Sequence, residues 1–428
     1  MTYAEALEKI NSRLLFGMKP GLERMERLME RLGNPQKRMK FVHVCGTNGK
    51  GSACTLTASV LRESGYPTGL NISPYVMDFR ERFQINGEMI SKEELARELD
   101  EIWPVVERLD REECPVSEFE LVTAIALHWF AKKGCDIAVM EVGMGGLMDA
   151  TNIIPVPEAA AMMSISLDHT AWLGDTVEQI AREKAGIIKD GGRVVLYPEQ
   201  RPGVREIVES ACREHGAQLR VPDLSRLQVL REGIDGTDFQ EGGLALHTPF
   251  LGAHQVKNAA VVLEIVEILR ERGFSIPDKA LVEGFAKTFN PARMEILSRR
   301  PLCLLDGGHN PGCAQALRDA LERFVPGQKT ALMGMMADKD SAAALKILGP
   351  LFQKVVTVTP ENPRSLSAEA LAEQAGRFCR EALPAESCRE ALDLALEGLG
   401  EEDALIVCGS FYLAGEIRPL LLEKFSGR

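Results

Sequence analysis

A glycine-rich turn that carries one lysine and one serine is the segment of this sequence best suited to chemistry. The apolar run 41–45 predicts a strand, and the letters GTNGKGS follow at residues 46–52, where a helix is predicted to begin. Such a turn lets backbone N–H groups converge on phosphate oxygens, and the helix N-terminus adds a partial positive charge. In that geometry Lys50 would reach the β- and γ-phosphates of a nucleotide, and the Ser52 hydroxyl would ligate Mg²⁺.

The spacing of this turn departs from the usual phosphate-loop pattern in two places. Val44 stands where G-x-x-x-x-G-K-[ST] has its first glycine, and Gly51 separates Lys50 from Ser52. A plain glycine turn between a strand and a helix is therefore the alternative. The order of strand, turn, lysine, hydroxyl and helix favours a nucleotide loop.

Three more residues of chemical interest follow predicted strands or lie near a helix end. Glu141 ends the predicted strand 137–141. Parallel sheets bind ligands beyond the carboxyl ends of their strands, so Glu141 suits a Mg²⁺ ligand, with a solvated strand end as the alternative. His169 follows the apolar run 162–167, and Lys184 lies in a helix end rich in small residues. Spacing alone gives neither residue a role, because such histidines are usually structural and helical lysines usually lie on the surface.

Composition narrows the class of protein. The chain has 428 residues, 45% of them apolar and 26% charged, which is typical of globular proteins and too long for one ordinary core. It shows no apolar run of roughly 20 residues and no signal-like N-terminus, so we expect a cytoplasmic protein without a membrane partner. A net charge of −12 argues against a nucleic-acid surface. The ten cysteines form no C-x-x-C pair and are expected to be free thiols.

The chain is predicted to fold into two α/β domains. Strand-like runs alternate with helical patterns, which indicates a parallel sheet with helices on both faces. Segment 219–247 is expected to be a small antiparallel excursion. The pattern restarts at residue 303, so we predict a P-loop-type ATPase domain over 1–297 and a smaller Rossmann-like domain over 298–428. The predicted strands are 39–45, 68–72, 137–141, 159–165, 194–196, 303–306, 329–333, 354–359 and 404–408. The predicted helices are 51–64, 91–110, 118–133, 176–188, 202–215, 254–272, 278–288, 313–324, 341–351, 367–381, 387–399 and 411–422.

Motifs along almost the whole chain resemble those of the folylpolyglutamate and dihydrofolate synthases, in the Mur-ligase superfamily. In chain order they are GTNGKGS (46–52), SPY (73–75), ERFQING (81–87), EVG (141–143), DATN (149–152), DHT (168–170), LGDT (173–176), EKAGI (183–187), HQVKN (254–258), PARME (291–295), DGGHNP (306–311), DKD (338–340) and GSFYL (409–413). The resemblance implies a Mur-ligase-like fold whose C-terminal domain is a glutamate-ligase domain.

The resemblance also implies a role for particular residues. ATP and two Mg²⁺ ions would bind in a cleft between the domains. Lys184 matches a lysine that is carbamylated, which would turn a cation into the oxygen ligand that Mg²⁺ prefers. The ATP-binding positions are Thr47, Asn48, Gly49, Lys50, Gly51, Ser52, Asn258, Arg293, Asp306 and His309. The metal positions are Ser52, Ser73, Glu141, His169 and Lys184, and the catalytic ones are Lys50, His169 and Lys184. The folate-side positions are Phe119, Glu120 and Asp149, together with Leu22, Glu23 and Arg24.

The sequence departs from the family pattern mainly on the folate side. Tyr75 stands where the family has histidine, Leu147 where it has arginine, and Ala292 where it has glycine. The predicted activity is ATP-dependent addition of L-glutamate to a reduced folate through an acyl phosphate, by a monomer whose partners are small molecules. Dihydrofolate synthesis from dihydropteroate is left open as a second activity. The alternatives are a dihydrofolate synthase only, a Mur-type ligase for another carboxylate, and a non-catalytic paralogue that binds folate or nucleotide.

Overall fold

Two large β-sheets with helices on their faces, and a small antiparallel sheet, make up the chain in a computed structural model that describes residues 1–17 and 21–425. The strands before residue 290 are β1 (Lys40–Cys45), β2 (Thr68–Asn71), β3 (Gln84–Ile85), β4 (Glu88–Met89), β5 (Ile137–Glu141), β6 (Ala159–Met162), β7 (Arg193–Leu196), β8 (Gln218–Arg220), β9 (Leu227–Gly233), β10 (Gly236–Glu241) and β11 (Leu244–Thr248). The helices of this part are α1 (Tyr3–Ser12), α2 (Glu23–Arg31), α3 (Lys50–Glu63), α4 (Lys92–Arg111), α5 (Glu118–Lys132), α6 (Thr170–Leu173), α7 (Val177–Ala185), α8 (Pro202–Glu214), α9 (Ala253–Glu271) and α10 (Asp278–Ala286).

The rest of the chain supplies a second set of alternating elements. Its strands are β12 (Glu295–Arg299), β13 (Leu302–Asp306), β14 (Lys329–Met333), β15 (Lys354–Val358), β16 (Glu381–Ala385) and β17 (Ala404–Cys408). Its helices are α11 (Pro311–Phe324), α12 (Ser341–Leu348), α13 (Ala368–Ala375), α14 (Cys388–Leu396) and α15 (Phe411–Phe425). Short 3₁₀ turns lie at Arg13–Phe16, Pro35–Arg38, Phe79–Arg82, Ala150–Ile153, Leu224–Arg226 and Gly349–Leu351.

The first large sheet places the glycine-rich turn at its carboxyl edge. Its strand order is β4-β3-β2-β5-β1-β6-β7-β8, so β1 lies between β5 and β6 and pairs with both in parallel. In that register Val44 faces Glu141 across the β1–β5 pair. The turn that follows β1 therefore begins beside Glu141, as expected for strand ends that meet at one edge.

Helix α3 carries the turn into the core. Its N-cap, Gly49, has a left-handed φ of 87°, a conformation that glycine adopts without steric cost. Most of its side chains are buried on all sides, which is typical of a helix covered by neighbours rather than by solvent. Those neighbours are α9, α10 and the strands β1, β2 and β5. The close approach of α10 occurs at Gly284, where a Cβ would lie 2.6 Å from Val60 Cα.

The second large sheet has six strands in the order β12-β13-β17-β14-β15-β16. All pairs are parallel except β12–β13, an antiparallel pair at one edge. The predicted boundary between residues 297 and 298 falls inside β12, which pairs with β13 and so belongs to this sheet. The placement of that boundary stays a prediction.

The predicted elements agree with the structure in type for most of the chain, and the corrections lie mainly at element ends. The predicted helices 341–351 and 387–399 end at Leu348 and Leu396. The predicted helix 367–381 ends as α13 at Ala375, and the segment continues into the edge strand β16. The predicted strand 159–165 ends at Met162, and the predicted helix 176–188 ends at Ala185. The antiparallel excursion is present as the sheet β11-β10-β9, although β8 joins the first large sheet. No helix within residues 1–17 and 21–425 is long and apolar enough to cross a membrane.

Candidate active site

A cleft of about 800 Å³ opens where the carboxyl edge of the first large sheet faces the second domain. From the first domain it is lined by the glycine-rich turn and by Glu141. From the second domain it is lined by Asp306, by His309 and by Ser410 at the start of α15. Its size is in the range of small-molecule sites. The two sheets therefore bring residues more than 250 positions apart in sequence to one cavity.

Close packing against the glycine-rich turn explains its glycines. A Cβ at Gly46 would lie 2.7 Å from Met163 Cβ, and one at Gly49 would lie 2.6 Å from Asn258 Oδ1. The Thr47 hydroxyl donates to the Ser166 carbonyl at 3.0 Å and so ties the turn to the segment after β6. These contacts hold the backbone in a fixed curve and bring Asn258 against it, and a shared role of the two in binding a nucleotide stays a prediction.

Lys50 projects from this turn into the cleft, and its amine is only weakly engaged by hydrogen bonds to the protein. Its Nζ donates to the Thr47 carbonyl at 3.3 Å, a single and rather long hydrogen bond. The amine remains on the cleft lining beside the loop N–H groups. The arrangement suits a phosphate, which would draw the lysine away from the carbonyl.

The predicted metal ligands Ser52 and Glu141 are both buried and both line this part of the cleft. Burial raises the pKa of Glu141, while the charges of Lys50 and Arg293 lower it. Ser73 reaches Glu141 through its backbone N–H, which donates to Oε2 at 3.0 Å. A hydroxyl and a carboxylate are the hard oxygen ligands that Mg²⁺ prefers, so this donor set fits the ion.

Lys184 is buried, although a helical lysine is usually exposed. Its Nζ donates to the Gly46 carbonyl at 2.9 Å, at the start of the glycine-rich turn. Burial, with a smaller contribution from the charge of Lys50, lowers the pKa of Lys184 to about 8. With that pKa, roughly a tenth of the amine is uncharged at pH 7, and the uncharged form is the one that reacts with CO₂.

His169 lines the same cleft and is the N-cap residue of the short helix α6. Its backbone φ of 51° is in the left-handed region, which histidine adopts more often than most residues with a Cβ. Desolvation by the cleft wall, with smaller contributions from the charges of Lys339 and Lys50, lowers the pKa of His169 to about 4, although 41% of its side chain is exposed. The imidazole is therefore neutral and able to ligate a cation at physiological pH. Both His169 and Lys184 line the same cleft as Glu141.

The nucleotide positions of the second domain are organised around one aromatic ring. The Arg293 guanidinium lies 4.2 Å from the centroid of Phe411, and the ring of His309 lies edge-on to it at 6.0 Å. Asp306 is buried and accepts hydrogen bonds from the backbone N–H groups of Met294, at 3.0 Å, and Gly308, at 2.9 Å. Asp306 thus fixes the two loops that carry Arg293 and His309.

The folate-side residues of α5 and the loop after β5 are largely engaged with the protein itself. The tip of the Phe119 ring packs against Gly143, where a Cβ would come within 2.4 Å of Phe119 Cζ. Both Ser117 N and Ser117 Oγ donate to Glu120 at 2.8 Å, and Arg24 pairs with the Glu120 carboxylate at 3.0 Å. Asp149 accepts from the Met144 N–H at 2.9 Å. Phe119, Glu120 and Asp149 line the cleft, and the two carboxylates shape its wall.

Three further folate-side predictions fall on α2 and the residue before it. Leu22 precedes the helix, Glu23 pairs with Arg27 at 2.6 Å on its exposed face, and Arg24 reaches Glu120. Among the described residues these three stand outside the lining of the cleft. Their contact with substrate stays a prediction.

The structure adds cleft residues to which the sequence alone gave no role. Arg82 pairs with Glu118 at 3.1 Å and packs on Tyr75, and its buried Nε lacks a hydrogen-bond partner within the described residues. Trp172 lines the cleft with 57% of its surface exposed, an unusual position for a tryptophan unless it meets a ligand. The motif containing Arg82 was the only sequence signal for either residue.

Comparisons with known proteins give one consistent result. Residues 44–266 match the Mur ligase middle domain, and residues 292–411 match the Mur ligase, glutamate ligase domain. The dihydrofolate synthase/folylpolyglutamate synthase of Bacillus subtilis (strain 168) is 33% identical, over 98% of this chain and 99% of the relative. The chain belongs to the folylpolyglutamate and dihydrofolate synthases of the Mur ligase family.

Other members of the family agree with this assignment in sequence and in structure. The folylpolyglutamate synthase of Lacticaseibacillus casei is 34% identical over 99% of each chain. The structure of Mycobacterium tuberculosis folylpolyglutamate synthase complexed with ADP and AMPPCP superimposes with a TM-score of 0.90, at 32% identity over 100% of this chain and 99% of that one. E. coli FolC in complex with DHPP and ADP gives a TM-score of 0.87, at 29% identity over 99% and 98%. The family and the fold class predicted from the motifs are confirmed, whereas the roles of individual residues stay predictions.

Proposed function

We propose that this member of the folylpolyglutamate and dihydrofolate synthases uses the interdomain cleft to join L-glutamate to a folate at the expense of ATP. The observation that carries the proposal is the convergence of Lys50, Ser52, Glu141, His169 and Lys184 on one cavity. Relatives crystallised with ADP and AMPPCP support the use of ATP.

The reaction forms one amide bond in two steps. An oxygen of the folate-side carboxylate attacks the γ-phosphorus of ATP, the bond to the β,γ-bridging oxygen breaks, and an acyl phosphate and ADP result. The uncharged amine of L-glutamate then attacks the acyl carbon, loses a proton, and inorganic phosphate leaves. No protein nucleophile is consumed, so the ten cysteines need no catalytic part.

The first step brings two negatively charged groups together, and the chain supplies the positive charge that this requires. Lys50 and the loop N–H groups would hold the phosphates and stabilise the charge that develops on them. Ser52 and Glu141 would hold one Mg²⁺, and His169 with Lys184 a second, with Ser73 alongside. When bound, Mg²⁺ supplies further charge neutralisation between ATP and the carboxylate.

Lys184 is proposed to act as its carbamate. The neutral amine attacks the carbon of CO₂, an N–C bond forms, and one proton is released to solvent. The product carries an anionic oxygen pair where the free amine carried a cation. Its burial and its lowered pKa support this modification, because both favour the uncharged amine in the folded chain.

The names of the relatives favour folates over other carboxylates, and they are compatible with two acceptors for L-glutamate. Several relatives are named as both dihydrofolate synthase and folylpolyglutamate synthase, and E. coli FolC was crystallised with DHPP. We propose a reduced folate as the main acceptor and dihydropteroate as a second. We further propose that the protein is a cytoplasmic monomer without nucleic-acid or membrane partners, which its free thiols and its net charge of −12 support.

An isotope experiment tests the acyl phosphate. Folate substrate whose reacting carboxylate carries ¹⁸O is incubated with enzyme, ATP, Mg²⁺ and L-glutamate, and the released phosphate is analysed by mass spectrometry. The proposal requires one ¹⁸O atom in each phosphate, because the carboxylate oxygen that attacks the γ-phosphorus leaves with it. Unlabelled phosphate accompanying amide formation would exclude this route.

A further inference from the structure

The side chains of Asn48 and Asn310 join the glycine-rich turn directly to the second domain. Asn310 Nδ2 donates to Asn48 Oδ1 at 2.9 Å, and Asn48 Nδ2 lies 3.4 Å from Asn310 Oδ1. The two residues are 262 positions apart in sequence. Asn310 is 5% exposed and Asn48 is partly buried, so the hydrogen bonds between them are partly shielded from solvent.

Asn310 performs two tasks that a substitution can separate, and its Oδ1 serves both through the long contact from Asn48 Nδ2. Its Oδ1 accepts from the Cys313 N–H at 3.0 Å and caps the N-terminus of α11. Its Nδ2 points the other way, to Asn48 and, at 3.4 Å, to Asp168 Oδ2. The cap requires only an acceptor oxygen, so any residue that caps well can replace the first task without the second.

A buried ion pair lies beside this amide pair and joins the same two domains. Lys339 Nζ lies 2.7 Å from Asp168 Oδ1, and the side chains are 12% and 10% exposed. Asp168 directly precedes His169. The loops that carry Lys50 and His169 are therefore both fastened to the second domain, one through Asn310 and the other through Lys339.

The first turn of α11 fits closely against Asn48. A Cβ at Gly312 would lie 3.0 Å from Asn48 Nδ2, and the Cys313 thiol donates to Asn48 Oδ1 at 3.2 Å. Asn48 thus receives two donors on one oxygen, and its side chain is held in a single orientation. A glycine at 312 leaves room for this approach.

We propose that Asn310 is a positioning residue that fixes the nucleotide loop against the second domain when the cleft is closed. It acts through Asn48 and touches no reacting atom, while the Lys339–Asp168 pair holds the adjacent loop in the same relation. Lys50 then faces Arg293 and His309 across the cleft at a fixed distance, so that one ATP molecule can contact all three. The inference rests on the proposed function.

The variant Asn310→Ser separates the two tasks. Serine caps a helix as well as asparagine does, but it is too short to reach Asn48 and donates nothing to Asp168. We expect kcat to fall tenfold or more. We also expect the amides of residues 46–52 to exchange hydrogen at least fivefold faster in the ADP complex, with little change in thermal midpoint. Ser367→Ala, which removes the N-cap of α13 away from the cleft, is the control and should change neither kcat nor that exchange rate.

A double-mutant cycle with Asn48→Ala distinguishes coupling from general damage. If Asn310 acts through Asn48, the double variant should be no slower than the slower single variant, because contacting residues are non-additive. Multiplied effects of the two changes, or wild-type kcat and loop protection in Asn310→Ser, would overturn the inference. The exchange measurement needs only ADP, so it decides the matter even if folate proves not to be the substrate.

Discussion

Lys50 is the residue whose side chain the structure leaves most available for a phosphate. Replacing it with alanine removes one long hydrogen bond to Thr47 and no packing contact of note, so the fold should persist. Loss of one charged contact to a developing negative charge is typically worth about 3–4 kcal/mol in the barrier, or roughly 10²–10³ in kcat. Steady-state ADP release and a thermal melt of Lys50→Ala would measure both quantities.

The matched control is Lys279→Ala, which removes an exposed lysine from α10. It should leave ADP release unchanged. Turnover close to wild type in Lys50→Ala, at equal protein concentration, would remove Lys50 from the phosphate site.

Lys184 should be essential for a different reason, since its amine is expected to become an anionic carbamate. Lys184→Ala should be nearly inactive, and added short carboxylates should restore part of the activity by filling the vacated space. Intact-mass spectrometry of wild-type protein in bicarbonate should show a mass increase of one CO₂ that the variant lacks. A free amine in a fully active preparation would contradict the proposal.

Lys189 offers the control for this experiment. Burial lowers the pKa of Lys189 to about 8 as well, but its amine donates to the carbonyl of Asn152 at 2.9 Å and to that of Ile154. We expect Lys189→Met to lower stability and to leave the CO₂ adduct in place. The comparison shows whether a lysine forms the CO₂ adduct because it is buried or because it lies in the cleft.

Leu147 is where the family's arginine is missing, and the structure gives room to restore it. Its backbone N–H donates to the Glu183 carbonyl at 2.9 Å, which fixes the loop, while its side chain is 43% exposed. An arginine there would add a cation near the folate end of the cleft, and leucine cannot replace one. Leu147→Arg should lower the KM for an anionic folate severalfold. Leu147→Gln, which adds a polar group without a charge, should not. Equal KM values for both variants would show that the anion binds elsewhere, with Arg82 as the next candidate.

At the scale of elements, strand β1 carries a buried histidine in the core of the first sheet. His43 is fully buried, and its Nε2 lies 2.9 Å from Thr151 Oγ1. Thr151 donates its one hydroxyl proton to Asp149, so His43 must donate through Nε2–H, and Nδ1 is left without a partner among the described residues. Burial lowers the pKa of His43 to about 3, so the ring is neutral in the fold.

This burial predicts an acid limb in the stability of the protein. The folded pKa of about 3 lies below the ordinary 6.5, so the stabilisation is complete above pH 6.5 and is lost as the pH falls toward 3. Between pH 7 and pH 5 His43 alone should cost about 2 kcal/mol in the free energy of unfolding. Urea unfolding of wild type and His43→Gln should show that difference, because glutamine keeps a donor for Thr151 but does not titrate. If the free energy of unfolding changed equally with pH in both proteins, protonation of His43 in the folded state would cost no free energy, which would contradict this prediction.

Most elements could be predicted from the sequence, and the failures have identifiable causes. Strands β1, β5, β14 and β17 are short segments made mostly of apolar residues, so their type and their bounds could be predicted. The edge strand β16 has the sequence EALPA, in which alanine and leucine favour a helix, and only pairing with β15 makes it a strand. Strands β3 and β4 have two residues each, too few to show any periodicity.

The candidate site was predicted less evenly than the fold. Residues on strand ends and loops that carry a motif, such as Lys50 and Glu141, could be named because their types match phosphate and metal chemistry. The structure alone shows that the Glu120 carboxylate is occupied by Ser117 and Arg24. It also shows the pairing of Asn48 with Asn310, which depends on how the two domains meet and leaves no local pattern in the sequence.

At the scale of the whole molecule, the division of labour between the domains is the central feature. The first sheet presents Lys50, Glu141 and Lys184 at one edge, and the second brings Arg293, Asp306 and His309 to face them. Neither half contains the whole site. We therefore expect catalysis to require the two domains to be held together, which would also exclude water from the proposed acyl phosphate before the amine arrives.

The most direct test of the proposed activity is to identify the product. Purified protein is incubated with ATP, Mg²⁺ and L-glutamate, with either tetrahydrofolate or dihydropteroate as the acceptor, and the acceptor is then weighed by mass spectrometry. We predict that tetrahydrofolate gains glutamate residues, with one ADP released for each, and that dihydropteroate is converted more slowly to dihydrofolate. Conversion of dihydropteroate alone would leave a dihydrofolate synthase. Glutamate added to neither acceptor, by a protein that binds ATP, would contradict the assignment of this cleft to folate ligation.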